Sequence, residues 1–83
     1  REVGQRIARL LLTEAERPGK RLTDGITFAL DMNNGQIAAR VGSVREVVSR
    51  ALARLQQDRL ILLDNRRVTI PDKDLLAAYS GQS

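Results

Sequence analysis

The sequence predicts a mainly α-helical domain carrying a small antiparallel β-sheet, on three observations. Two stretches, about Val3 to Arg17 and about Val44 to Asp58, place apolar residues three and four apart, the period of amphipathic helices. Ile26 to Met32 alternates apolar with small or polar residues, the period of a strand. Two short apolar runs flank Asp64-Asn65-Arg66, as in a β-hairpin.

In chain order, Val3, Ile7, Leu10, Leu11 and Ala15 fall on one helical face, with Arg6, Arg9 and Glu16 opposite. Pro18-Gly19 stops this helix, and Lys20 to Gly25 reads as a polar loop. In the strand that follows, Ile26, Phe28, Leu30 and Met32 share a side. Asn33-Asn34-Gly35 is turn chemistry, and Asn33 is the expected N-cap of a short helix from Asn34 to Arg40, with Ile37, Ala38 and Val41 inward. Gly42 permits a tight or left-handed turn, and Ser43 is placed to cap a second helix running to about Asp58. A helix, a short turn and a helix over about residues 34–58 make a helix-turn-helix.

Leu60 to Leu63 and Arg67 to Ile70 form the two arms of a hairpin over about residues 60–70, with Asp64-Asn65 supplying residues that tolerate left-handed φ. Pro71 ends the ladder, and Asp72 or its neighbours start a last helix through Leu75, Leu76 and Tyr79, stopped by Gly81. Residues 1–83 therefore read as one winged helix-turn-helix domain: a three-helix core, a β-hairpin wing and a short C-terminal helix.

Composition narrows the function. With 83 residues there is room for one small core, built from Leu, Ile, Val and Ala because aromatics are only 2% of the chain. Neither cysteine nor histidine is present, which removes disulfides, thiolate metal sites and the commonest general base. No apolar run approaches the roughly 18 residues of a membrane span. A soluble, cytoplasmic protein is expected, and a chain beginning REVGQ without Met is expected to be part of a longer one. The net charge of +4 sits in the middle: residues 33–70 carry seven basic and three acidic groups. A localised basic surface of this kind suits a polyanion.

The second helix of the motif carries the most information. Val44, Val48, Ala51, Leu52 and Leu55 collect on one face, while Arg45, Glu46, Ser49, Arg50 and Ala53 occupy another. Val47 and Arg54 lie between. Packed by its apolar face, such a helix leaves the other free to enter a major groove of double-stranded DNA. There Arg matches guanine O6 and N7 through paired hydrogen bonds and Glu accepts from cytosine N4. An acid weakens non-specific phosphate binding, so Glu46 makes sense on DNA as a reader. The alternative is a plain i,i+4 ion pair between Glu46 and Arg50 on a solvated face, contributing about 0.2–0.5 kcal/mol. The preceding helix with its glycine turn and the following basic hairpin favour readout.

The segment MNNGQIAARVGSVREVVSRALARLQQDRLI resembles the helix-turn-helix of the Crp/Fnr family of bacterial transcription regulators. Ile37, Ala38, Val41, Gly42, Arg45, Glu46, Val48, Ser49, Arg50, Leu52, Leu55, Leu60 and Ile61 all match its pattern in register, and the likeness extends from GQRIARLLL to PDKDLLAAY. The resemblance implies sequence-specific DNA binding for transcription regulation. It implies base reading by Arg45, Glu46 and Arg50 as in the cyclic-AMP receptor type, or by Glu46, Ser49 and Arg50 as in the Fnr type. The half-site is then TGTGA-like or TTGAT-like, with TGA in common, in a palindrome bound by a two-fold dimer. Asn33, Asn34, Ser43, Arg54, Arg66 and Arg67 are expected at the DNA backbone.

Val44 stands where the family usually has Ser or Thr, and Val47 where it often has Thr, which removes up to two hydroxyls from phosphate contact and leaves Ser43 to cap from one position earlier. Leu62 and Leu63 replace polar residues; one is expected inward beside Val68 and Ile70, the other exposed or against a neighbouring domain. The resemblance further implies an upstream effector and dimerisation region beyond these residues. No cofactor is expected here, and a cyclic nucleotide or other effector would bind that upstream domain. The fragment is expected to be a monomer, the longer protein a homodimer, acting as activator or repressor. The loop 17–25 matches a region that in some relatives touches RNA polymerase, and otherwise is a connector. The competing class is a winged-helix protein-interaction module whose basic face meets an acidic partner. An enzyme is not expected, and the close carboxylates Asp72 and Asp74 suit helix capping.

Overall fold

The computed structural model describes residues 2–16, 21–22 and 25–81. Its elements run α1 (Val3–Ala15), β1 (Arg21–Leu22), β2 (Gly25–Ala29), α2 (Asn34–Val41), α3 (Arg45–Gln57), β3 (Leu62–Asp64), β4 (Arg67–Ile70) and α4 (Lys73–Tyr79). This is the expected winged helix-turn-helix, with α1 at the centre packed against α2, α3, α4 and β2.

One core joins the elements. Ile7 and Leu11 of α1, Ile37 of α2, Val48 and Leu55 of α3, Ile61, Val68 and Ile70 of the wing, and Leu76 of α4 are wholly buried. Each such aliphatic side chain contributes about 1.5–3 kcal/mol by leaving water. Phe28 is the buried ring, set by the strand period between Ile26 and Leu30.

The strands form one antiparallel sheet in the order β1-β2-β4-β3. Its core face follows the register: Phe28 lies opposite Val68, which in turn lies opposite Leu63, while Ile26 meets Ile70. On the outer face Thr27 and Thr69 share a hydroxyl hydrogen bond of 3.0 Å beside Leu62. Leu63 packs on the core and Leu62 is exposed, which decides the leucine pair. Leu63 completes the alternation that Val68 and Ile70 begin.

Several boundaries differ from the sequence expectations. α1 ends at Ala15 with Glu16 as its C-cap, not at Arg17. Within the expected loop Lys20–Gly25, Arg21–Leu22 pairs with Gly25–Ile26 as a short strand. Gly25, at φ 134°, lets β2 begin against Ile70, whose carbonyl oxygen a Cβ there would meet at 2.8 Å. The remainder of the loop expected at RNA polymerase, residues 17–20 and 23–24, lies outside the described residues. β2 stops at Ala29 rather than Met32, although the Leu30 amide still donates to the Arg66 carbonyl at 2.7 Å.

The first wing strand starts at Leu62, not Leu60. The amides of Arg59 and Leu60 donate back to the carbonyls of Gln56 and Leu55, closing α3 in a Schellman motif with Arg59 left-handed at φ 60°. Leu60 and Ile61 serve that closure and the core before pairing begins. The hairpin turn shortens to Asn65-Arg66, since Asp64 pairs with Arg67, and Asn65 takes φ 58° as its residue type allows.

Candidate nucleic-acid interface

Local chemistry fixes the two helices of the motif. Asn33 caps α2 by accepting the Gln36 amide at 2.8 Å, and Gln36 returns the contact to the Asn33 amide at 2.9 Å. At the other end Gly42 adopts φ 74°, and the amides of Gly42 and Ser43 both reach the Ala38 carbonyl. The Arg6 guanidinium, from α1, donates to the Val41 carbonyl at 2.6 Å and so pins this turn.

Ser43 does not cap α3. The N-cap is Val44, in extended geometry and with no side-chain acceptor. Capping hydroxyls accept from the second or third helical amide, and Ser43 stands one residue too early, with its own amide used to close α2. Val44 is 61% exposed, so the free N-terminal turn of α3 presents an aliphatic side chain beside Arg45.

Val48, Leu52 and Leu55 hold α3 to the core, while Arg45, Glu46, Ser49 and Arg50 are exposed together on its first two turns. Glu46 and Arg50 form no ion pair with each other among the described residues, and both charges face solvent. Arg54, one turn on, pairs with Asp58 at 3.4 Å on the exposed surface, a contact of about 0.2–0.5 kcal/mol.

Four of the residues singled out from sequence converge. Asn33 and Asn34 at the start of α2, Arg45 of α3 and Arg66 of the wing line one cleft of about 420 Å³, floored by Leu30, Met32, Leu52, Leu63 and Val68. Its rim is cationic and amide-bearing, without a carboxylate, which suits an anion such as phosphate. Arg67 faces instead a smaller recess of about 300 Å³ with Asp64 and Ala29. Asn65, legible in the sequence only as turn chemistry, lines both hollows together with Arg66 at the wing tip.

Residues 5–79 match the model of the Crp-like helix-turn-helix domain. The chain belongs to that family. The Crp-like domain here is 34% identical over 70 residues to the global nitrogen regulator of Synechococcus elongatus, covering 84% of this chain and 32% of that protein. It is 30% identical over 79 residues to the fumarate nitrate reduction regulatory protein of Klebsiella oxytoca, covering 95% of this chain and 32% of that one. Its fold superposes on a CRP-family transcriptional regulator from Thermus thermophilus with a TM-score of 0.83 and 36% identity, over the whole chain and 42% of the other. The chain thus spans about a third of the length of the relatives it matches in sequence. Those relatives are regulators, not enzymes. No helix of the described residues is long and apolar enough to cross a membrane.

Proposed function

We propose that this Crp-like domain binds double-stranded DNA sequence-specifically to control transcription, with the first two turns of α3 in the major groove over a TGA-containing half-site. The observation that carries the reading is the shared exposure of Arg45, Glu46, Ser49 and Arg50, unpaired with one another on a helix whose other face is locked in the core. The arginines suit guanine edges and the carboxylate suits cytosine N4. Ser49 serves either neighbour.

Backbone contacts position this helix. Asn33, Asn34 and Arg66, with Asn65 beside them, hold phosphate in the cleft between α2 and the wing, while Arg67, Arg54 and Ser43 extend the contact outward. In the longer regulator two such domains, related by a two-fold axis, read the two halves of a TGTGA-like or TTGAT-like palindrome. Alone, one domain binds weakly, because the second half-site supplies the effective concentration.

The test is a titration of labelled duplex at several salt concentrations. The domain should bind a TGA half-site more tightly than a scrambled duplex, with affinity falling steeply as salt rises. Indifference to any duplex at low salt contradicts the reading and favours an acidic protein as partner of the basic face.

A further inference from the structure

A second basic hollow lies at the opposite end of α2 from the wing cleft. It measures about 520 Å³ and is lined by Arg6, Arg9, Leu10 and Thr13 of α1 with Ala39, Arg40, Val41 and Gly42 at the end of α2. Three arginines and no carboxylate face it. Arg6 is committed to the Val41 carbonyl. Arg9 has no side-chain partner among the described residues, and Arg40 has only the weak acceptor Met32 Sδ at 3.7 Å. Arg9 and Arg40 are both exposed, and the Arg40 guanidinium reaches back along α2 toward Met32.

Placement relates them to DNA. α2 has eight residues, about 12 Å at ~1.5 Å per residue, which is close to the width of a B-form major groove. In helix-turn-helix docking the first helix of the unit crosses the backbone while the second enters the groove. The wing cleft sits at the N-terminal end of α2 and the arginine hollow at its C-terminal end, where Gly42 leads into α3. At this end the N-cap of α3 is Val44, whose exposed side chain has no hydrogen-bond donor. Arg9 of α1 and Arg40 of α2 add cationic donors to those of Ser43 and Arg45 on that flank.

We infer that Arg9 and Arg40 form a second phosphate clamp, engaging the DNA strand opposite the one held by the wing, with Arg6 fixing the turn between them. The inference rests on the DNA-binding reading above. Two clamps at the ends of α2 would hold α3 in the groove from both sides, a sequence-independent grip that sets its depth.

The experiment compares the wild-type domain with Arg9→Gln/Arg40→Gln and Arg9→Lys/Arg40→Lys on TGA and scrambled duplexes. The Gln pair should bind both duplexes about tenfold or more weakly and flatten the salt slope by about two units, one per arginine. The Lys pair, which keeps the charge, should retain the slope. Ethylation of single phosphates should interfere with wild-type binding on both strands, and the Gln pair should lose the interference on the strand away from the wing. Wild-type affinity and slope in the Gln pair, with the wild type binding normally, overturn this inference alone. Failure of the wild type to bind any duplex overturns the reading beneath it.

Discussion

The Gln56 side chain accepts the Leu63 amide at 2.7 Å, tying the last turn of α3 to the edge strand of the wing. Leu63 lies in β3 at the edge of the sheet, and this contact occupies a backbone donor that would otherwise face water. The helix that carries the reading face and the hairpin that carries Arg66 are thereby held in fixed relation.

Gln56→Ala should cost about 0.5–1.5 kcal/mol of stability, the net contribution of one hydrogen bond. It should also weaken binding to TGA and scrambled duplexes by a similar factor, since a looser wing affects backbone grip rather than base choice. Thermal melts and duplex titrations measure the two effects. A variant that loses TGA preference while keeping scrambled binding would place Gln56 in base readout instead.

Arg59 closes α3 in a left-handed conformation that costs a residue with a Cβ about 1–2 kcal/mol. Arg59→Gly should relieve that strain and raise stability by about 0.5–1 kcal/mol after its greater unfolded-chain entropy is counted. Arg59→Val, β-branched, should lower it. Chemical denaturation midpoints decide, and a less stable glycine variant would contradict the account of this turn.

At the other end of α3, Val44 holds the extended geometry of an N-cap without the acceptor one needs. Val44→Ser should add about 0.5–2 kcal/mol by accepting a first-turn amide. The same hydroxyl faces the proposed phosphate flank, so affinity for every duplex should rise slightly. A melting temperature at or below that of the parent would show that the valine is held by contacts the exposed surface does not reveal.

Arg50→Ala should lose about 1–3 kcal/mol on the TGA duplex and relax preference at one G·C pair. Arg66→Ala should weaken all sequences alike and flatten the salt slope by about one unit. Competition against single-base-pair substitutions separates the patterns. Intact discrimination in the Arg50 variant would move the reading away from α3.

What the sequence makes legible follows from how local its signals are. Ile37, Val48, Leu52 and Leu55 announce the buried faces of the motif by period, Asn33 its cap and Gly42 its turn, and all are where the pattern puts them. Arg59 hides because an arginine takes the left-handed position that glycine would have flagged. Ser43 misleads because its amide, not its hydroxyl, is what α2 needs. Neither Asn65 in the wing cleft nor Arg9 beside Arg40 is visible in one dimension. Each becomes a neighbour only when α1, α2 and the wing pack.

The central claim is that α3 reads bases rather than merely carrying charge, and Glu46 tests it most directly. The measurement is the ratio of affinities for TGA and scrambled duplexes in the wild type and in Glu46→Ala, at fixed salt. If the carboxylate reads a cytosine amine, its loss lowers TGA affinity by about 1–3 kcal/mol, leaves scrambled binding equal or tighter, and collapses the ratio. If both affinities rise together, Glu46 is only a repulsive charge on a non-specific surface, and the reading fails.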